Sequence, residues 1–301
     1  MSSTMLQLVN QATAELGVPV PVYVAGNTNQ DVTQILALMN ASGYELLRRH
    51  SWRAMTKQHS FYSEFLTTTG NWTTAARTIT GIPSTTGLDS TYMVIGTGIN
   101  QNTFVETVDS STQVTVNQDF DAAGGAAAVA DFQKMKYDLP SDYDALVPRT
   151  QWDKSKHWEM LGPENAQQWE WLLSGYIATG PTTRWRLLGK YFHIWPGNSN
   201  AEYLGYEYRS NGWVEDASGA VKTSFTVDTD TTIYPDRLMV LSTKLKYFEA
   251  KGFDTTAIYR DYLYELEAAM ALDMSSPNLS LAPRPGAVLI GYDNIPDSGY
   301  G

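Results

Sequence analysis

The stretch from Tyr203 to Met270 constrains the fold of this chain more than any other. It opens with an alternating aromatic run, YLGYEYRS, which is typical of a β-strand with one buried face. A turn-rich, acidic hairpin follows, and Pro235 then marks a change to helical periodicity, because proline is tolerated in the first turn of a helix. We expect the rest of the chain to pack on this unit.

Two helices are predicted after the hairpin. The first begins at Pro235 and runs to about Ala250, where Gly252 stops it. The second is capped by Asp254 or Thr255 and carries an apolar stripe at helical spacing. Because the connection between them is only a few residues long, the two helices should be antiparallel neighbours.

Two more helices are predicted at the N-terminus. Residues 3–17 show an amphipathic pattern with Ser3 as cap and Gly17 at the C-terminal end. The next helix runs from Asp31, a plausible cap, to about Arg49, with Gly43 as a weak point. Together the four helices predict an α+β protein with a four-helix bundle core, from which an antiparallel β extension projects.

Residues 66–135 differ in composition from the rest of the chain. They are rich in Thr, Gly, Ser, Val and Ala, contain few charges, and hold several short β-type runs separated by turn signals. The runs are Thr78–Ile82, Tyr92–Gly96, Thr103–Val108 and Gln113–Asn117. The segment is interpreted as a small inserted β module, and a decorated long hairpin is an equally acceptable interpretation.

The middle of the chain predicts both helical and β elements. Ser141–Asp144 has the pattern of a capping box for one helical turn, and Pro163 has the position of a first helical residue. Three strands should form an antiparallel sheet: Arg184–Leu188, Tyr191–Trp195 and Glu202–Arg209. The predicted organisation is thus a helical core with a central β-sheet (1–65 and 136–273), the inserted module (66–135) and an extended C-terminal arm (274–301).

The arm has four prolines, no helical pattern and one short apolar run. A tail of this kind cannot bury its apolar residues alone, so it packs back on the domain or docks on another chain. The residues predicted to make that contact are Leu279, Leu281, Pro283, Val288, Leu289, Ile290 and Tyr292.

Composition narrows the function classes. A formal net charge of −11 argues against a protein that holds nucleic acid by ionic contact, although a protein can surround DNA without gripping it. The absence of cysteine excludes disulfide scaffolds, thiol nucleophiles and Cys-ligated metals. The N-terminus has no signal-peptide pattern, and no run approaches the roughly 18 apolar residues that a membrane span needs. We expect no membrane association.

No motif for catalysis, cofactor binding or metal binding stands out. The four histidines lack metal-type spacing, and His193 is interpreted as structural. Asp228 and Asp230 suggest metal ligands, but they lack calcium-loop spacing, and a solvated hairpin or the approach to a helix explains them better. No catalytic residue, cofactor site or metal site is therefore predicted, and the protein is expected not to be an enzyme.

Tryptophans are concentrated between residues 152 and 171. Trp158, Trp169 and Trp171 are candidates for a ring or tail interface, because tryptophan serves both cores and protein contacts. Trp169 and Trp171 lie two residues apart, so on a helix they point in different directions. One of them can belong to the core while the other faces a partner.

Several stretches have a familiar order. They run from LVNQATAELG through ALMNASGYELLRRHSW, YDLPSDYDALVPRTQWD, GPENAQQWEWLLSG and RWRLLGKYFHIWP to TTIYPDRLMVLSTKLKYFEAKGFD. In style and order they resemble the head-to-tail adaptor proteins of tailed bacteriophages, also called tail accessory factors or packaged-DNA stabilisation proteins. The similarity covers most of the chain except residues 66–135 and the tail, and it includes no catalytic motif.

The resemblance implies a structural virion protein at the head–tail junction, assembled in the cytoplasm of a host bacterium. Such proteins form a ring, typically dodecameric, under the portal protein and offer a platform to a tail tube or nozzle protein. Double-stranded DNA would pass through the lumen without specific binding, and the ring would help to retain packaged DNA. The C-terminal arm would contact the portal or a neighbouring subunit.

Two other functions stay open. The Trp- and Glu-rich segment 152–171, with Glu159, Glu164 and Glu170, would suit a muralytic or glycan-acting tail enzyme that uses paired carboxylates. Residues 66–135 resemble the Gly/Thr-rich β modules of virion proteins and would suit a host-glycan-binding tail decoration.

Overall fold

The computed structural model describes residues 3–174 and 182–273. Within them lie five α-helices: α1 (Met5–Leu16), α2 (Gln30–Arg49), α3 (Ala166–Leu173), α4 (Asp236–Lys251) and α5 (Thr256–Asp273). A 3-10 turn, Arg53–Met55, joins α2 to the first strand.

The same residues hold seventeen β-strands. In chain order they are β1 (Thr56–Tyr62), β2 (Phe65–Trp72), β3 (Thr78–Ile79), β4 (Tyr92–Gly96), β5 (Val105–Ser110), β6 (Gln113–Val116), β7 (Gly125–Lys134), β8 (Lys136–Asp138), β9 (Tyr143–Leu146), β10 (Trp152–Asp153), β11 (Trp158–Glu159), β12 (Arg184–Leu188), β13 (Tyr191–Trp195), β14 (Tyr203–Ser210), β15 (Val214–Glu215), β16 (Val221–Lys222) and β17 (Thr231–Thr232). The central sheet has the order β1–β14–β10–β11, and β9 also pairs with β14. Four three-stranded sheets accompany it: β12–β13–β8, β16–β15–β17, β2–β7–β4 and β3–β6–β5.

Local signals set the ends of α1. Thr4 and Gln7 form a capping box at its start, and Gly17 ends it in the left-handed conformation with φ of 72°. The predicted cap, Ser3, has another role. Its Oγ donates a hydrogen bond of 2.5 Å to Asp236 and so ties the start of α1 to the start of α4.

The other predicted helix ends are close to the observed ones. Asn29 rather than Asp31 caps α2, accepting a hydrogen bond from the Asp31 backbone N–H. Pro235 is the residue before α4, and Gly252 ends that helix with φ of 74°.

The prediction of an α+β protein built on a four-helix bundle core is wrong. Strand accounts for 31% of the described residues, and most of the elements there are β-strands arranged in several sheets. Although α4 packs against α1, α2 and α5, the buried cluster around it is not made by helices alone. It also contains Trp213, Val214 and Phe225 from the hairpin region before α4.

Gly43 shows why the bundle prediction failed. A Cβ atom at this position of α2 would lie 2.2 Å from the Trp213 indole, so the ring packs directly on the helix backbone. Tyr234 stacks on Trp213 with ring centroids 5.8 Å apart, and its hydroxyl donates to the Gly43 carbonyl at 3.1 Å. The glycine predicted as a weak point is therefore the place where the hairpin docks on the helices, a long-range contact that helical periodicity does not reveal.

Residues 66–135 supply nearly all of two sheets, β2–β7–β4 and β3–β6–β5. They enclose a buried cluster of their own, in which Ile79 and Phe132 are fully buried. Glu64 and Lys134 lie side by side at its base, where the Lys134 N–H donates to the Glu64 carbonyl at 3.0 Å and the Lys134 ammonium donates to the Glu64 carboxylate at 2.9 Å. The domain boundaries at 66 and 135 stay predictions.

The helical turn predicted at Ser141–Asp144 is wrong. The segment leads instead into β9, which pairs with β14. Asp142 accepts hydrogen bonds of 2.8 Å from Lys57, Tyr208 and Ser210. Burial would raise the pKa of Asp142, but these three donors outweigh it and lower the pKa. Distant partners in the sequence, rather than a local cap, thus determine the role of this carboxylate.

The helix predicted to begin at Pro163 starts later. Its first residue is Ala166, with Asn165 as the cap that accepts from the Gln168 N–H at 2.8 Å. Glu164 precedes the helix and is buried, where it forms an ion pair with Arg184 at 2.5 Å.

Candidate functional site

The last described helix, α5, is apolar on two sides. Its inner side buries Tyr262, Leu266 and Ala269. On its opposite side Tyr264 is 77% exposed and Leu272 is 87% exposed, and the exposed Ala268 and Ala271 lie between them at helical spacing. We define these four residues, Tyr264, Ala268, Ala271 and Leu272, as the outer apolar face of α5. Exposed charged residues, Arg260, Asp261 and Glu267, share this side of the helix, so the outer apolar face is a patch of apolar residues among charged ones.

The end of α5 is fixed to the end of α2. The Asp273 carboxylate accepts the Arg53 backbone N–H at 3.0 Å, and its Oδ2 lies 3.0 Å from His50 Nε2. The last residue of α5 is thereby held beside the residues that follow α2. The predicted arm contacts lie outside the described residues: Leu279, Leu281, Pro283, Val288, Leu289, Ile290 and Tyr292.

The three candidate tryptophans have different environments. Trp158 on β11 and Trp171 on α3 are 43% and 49% exposed, so both can face a partner. Trp169 is 3% exposed and packs in a buried cluster with Leu172 and Trp195. Its burial within its own chain assigns Trp169 to the core and leaves only the other two as surface candidates.

A groove with an exposed tryptophan crosses the outer side of the central sheet. Trp152 lies opposite Gly205 in the register of β10 and β14, and it is 43% exposed. The lining residues are Gln58, Arg149, Thr150, Trp152, Asp153, Lys154, His157 and Glu207. Arg149 and His157 both have left-handed backbone conformations, with φ of 62° and 59°. Such strain in residues other than glycine is concentrated at functional sites, so this groove is a second candidate surface.

Asp228 and Asp230 have structural partners. Asp228 accepts the Val24 and Ala25 backbone N–H groups at 3.1 and 2.7 Å, which ties the hairpin to the loop after α1. The Asp230 side chain is fully buried and pairs with Lys222 at 2.9 Å. Burial would raise the pKa of Asp230, but the bonds from Lys222 and from backbone N–H groups lower it. Of the two expected settings, the solvated hairpin is wrong for Asp230, because its side chain is buried.

His193 lies in a largely apolar environment. It contacts Trp169 edge-on, with ring centroids 6.0 Å apart. Burial, with a smaller contribution from the charge of Lys136, lowers the pKa of His193 to about 4, so the imidazole is neutral at pH 7. This environment suits the structural role predicted for it.

Clusters of metal-binding side chains and membrane-spanning helices are both absent from the described residues. Within residues 3–174 and 182–273, no three His, Asp or Glu side chains are grouped so that they could hold a metal ion. In the same part of the chain, every helix is too short or too polar to span a membrane.

No protein-family model matches the chain, and no curated protein sequence is similar to it.

Sequence patterns did not identify the residues of the outer apolar face of α5 or those of the groove at Trp152. Tyr264 and Leu272 are apolar residues outside the stripe that packs on α4, and that second stripe was the available signal. The groove around Trp152 had no local signal, because Gln58, Trp152 and Glu207 come together only through strand pairing.

Proposed function

We propose that this chain is a structural head-to-tail adaptor of a tailed bacteriophage. It assembles as a ring under the portal protein, connects to a tail tube or nozzle protein, extends the DNA channel and helps to retain packaged DNA. The resemblance in the order of sequence stretches supports this proposal. The expected dodecameric ring and the place at the head–tail junction of the virion belong to the same proposal.

The outer apolar face of α5 carries the proposal. In a ring, each subunit uses two different surfaces, and the surface of one subunit covers a complementary surface of the next. Tyr264 and Leu272 expose most of their area in the single chain, and covering such area with a neighbouring subunit is favourable. The face also adjoins the start of the arm at Asp273, so one contact region can serve both.

The acidic composition suits a DNA channel. With a net charge of −11, carboxylates facing a lumen would repel phosphates and allow DNA to slide instead of binding. A ring whose lumen is basic would contradict this part of the proposal.

Substitution on α5 tests the ring. We expect the double variant Ala268→Glu, Leu272→Glu to remain folded but monomeric, because two carboxylates on the contact face would have to lose their water on assembly. Native mass spectrometry and sedimentation velocity measure the assembly, and circular dichroism checks the fold. The matched control is Val22→Glu, since Val22 is 88% exposed on a loop outside the helices. A double variant that assembles as well as the control would contradict the proposal.

Removal of residues 274–301 tests the arm. The truncated chain should fold and should fail to attach to the portal, because the arm carries the predicted portal contacts. Particle mass with and without portal measures attachment. Normal attachment of the truncated chain would show that the contact lies elsewhere.

A second candidate function, glycan binding, is favoured by the groove at Trp152. An exposed indole beside amide, guanidinium and carboxylate groups can stack on a sugar ring and bond its hydroxyls. If the groove binds glycans, Trp152→Ala should abolish retention on host cell-wall glycan, whereas Trp171→Ala, a similarly exposed tryptophan on α3, should not. Equal retention of both variants would remove this candidate.

A further inference from the structure

A basic pocket lies where α2 ends against the central sheet. It is lined by Leu47, Arg48, Arg49, His50, Ser51, Asp144 and Arg209. Among these lining residues, three guanidinium groups and one carboxylate leave a formal charge of three minus one, or +2, with His50 left out of the count. This local charge is opposite in sign to the net charge of −11 on the chain.

The three arginines come from two separate elements. Arg48 and Arg49 are exposed in the last turn of α2. Arg209 is half-buried on β14 and donates a hydrogen bond from its guanidinium to the Ser51 hydroxyl, which holds it at the pocket. Arg53, also exposed, follows in the 3-10 turn. Helix packing and strand pairing thus bring together charges that lie far apart in the sequence.

These arginines have no carboxylate within ion-pair distance among residues 3–174 and 182–273. Ten other lysines and arginines of that part of the chain do have one. Like charges held close together repel, so an anion that enters the pocket would be stabilised there.

Helix capping explains only part of this charge. The C-terminus of a helix carries about half a negative charge, which one arginine in the last turn of α2 would offset. A second arginine in that turn, and a third that β14 contributes, exceed this need. The surplus is what points to a ligand.

We infer that the basic pocket is a phosphate-binding site. Arginine guanidinium groups bind oxyanions through paired N–H bonds, and a carboxylate has only two oxygens to offer them. A phosphate group has enough oxygens and charge for Arg48, Arg49 and Arg209 together. The inference stands independently of the adaptor proposal, because it rests on the pocket alone.

The phosphate can come from two sources. One is the backbone of DNA, for which each contact would add to the salt dependence of binding. The other is a free phosphate compound, which would bind without DNA. Both share the same chemistry at the arginines.

Binding of pyrophosphate to the full-length chain tests the site. Isothermal titration calorimetry at constant ionic strength removes general screening effects. We expect the double variant Arg48→Gln, Arg49→Gln to bind at least about tenfold more weakly, because two charge-assisted contacts are lost. The control is Arg260→Gln, an exposed arginine on α5 that lies about 20 Å along the helix axis from Asp273. The melting temperature without ligand should be the same in all three proteins.

Two further titrations identify the source. Binding of a 20-base-pair duplex that the double variant loses would assign the site to DNA phosphates. If pyrophosphate binds and the duplex does not, the ligand of the site is a free phosphate compound. Failure of both pyrophosphate and the duplex to bind, equal affinity in the double variant, or tighter binding of an Asp/Glu-rich peptide than of either would each overturn the inference.

Discussion

Helices α4 and α5 are of similar length and are joined by a short turn, yet they have opposite environments. The eight buried residues of α4 are Leu238, Met239, Val240, Leu241, Ser242, Thr243, Leu245 and Tyr247. Only three residues of α5 are buried. The difference arises because α4 lies between α1, α2 and α5, whereas α5 packs chiefly on α4.

This contrast separates two uses of apolar residues. Those of α4 stabilise the chain itself, since they leave water when the chain folds. The outer apolar face of α5 adds little to the stability of the single chain in that way, and under the adaptor proposal a neighbouring subunit covers it. Four substitutions test this difference between α4 and α5.

The largest expected effect is in α4. Leu238 is fully buried, so Leu238→Ala should lower the free energy of unfolding by about 2–5 kcal/mol through lost burial and a residual cavity. Urea unfolding followed by circular dichroism measures the change. A loss below about 1 kcal/mol would place Leu238 outside the stabilising core.

The second-largest effect on stability is expected at the contact between Gly43 of α2 and the Trp213 indole, which completes the core around α4. Gly43→Ala adds a methyl group 2.2 Å from the Trp213 indole, which must shift. We expect a loss of about 1–3 kcal/mol in unfolding free energy, the usual cost of overpacking. Helix propensity alone predicts the opposite sign, a gain of about 1 kcal/mol. A more stable variant would show that Trp213 can move without cost.

A smaller effect on stability is expected from removing the ion pairs that join α1 to α4. Glu15 of α1 accepts bonds from Lys244 at 2.7 Å and Arg237 at 2.6 Å, both on α4. Burial would raise the pKa of Glu15, but these partners lower it below its ordinary value of 4.5. The contribution of Glu15 to the free energy of unfolding is therefore present above pH 4.5 and is lost as the pH falls through the folded-state pKa.

We accordingly expect Glu15→Gln to lower stability at pH 7 by less than about 1 kcal/mol and to reduce the loss of stability on acidification below pH 4.5. The control is Asp261→Asn on α5, whose pair with Arg260 is exposed on both sides and should contribute nothing measurable. Urea unfolding at pH 7 and pH 4 compares the two. Identical pH profiles for both variants would refute the expectation.

The smallest effect is on the outer apolar face of α5. Leu272→Ala should change the unfolding free energy of the monomer by no more than about 0.5 kcal/mol, because the side chain is 87% exposed. The measurement requires a protein concentration at which sedimentation shows a monomer. A loss near that of Leu238→Ala would mean that the chain covers this face itself.

The sequence predicted the helices well and the architecture poorly. Gly17, Pro235 and Gly252 are local signals, and each lies within one residue of an observed helix end. The same local reasoning failed at Asp142, whose partners Lys57 and Ser210 are distant in the sequence.

The candidate surfaces show the same limit. Arg48 and Arg49 lie in the last turn of α2, where positive charge complements the helix dipole, and nothing near them in the sequence points to Arg209, which reaches the pocket through the pairing of β1 with β14. Trp169 and Trp171 could be assigned opposite directions from helical spacing, but which of them is buried depends on the position of Trp195. Helical spacing predicts the angle between two side chains on a helix, but the packing of the folded chain determines which of them is buried.

The closeness of Glu64 and Lys134 has a consequence for how this chain could vary. Since the Lys134 N–H bonds the Glu64 carbonyl and β2 pairs with β7, the chain enters and leaves residues 66–135 at one place, and a longer turn within the segment adds little to the cost of closing the chain. Met93 and Phe104 of this segment pack beside Trp169 and Trp195, so a change in the segment is tolerated only where it keeps that contact.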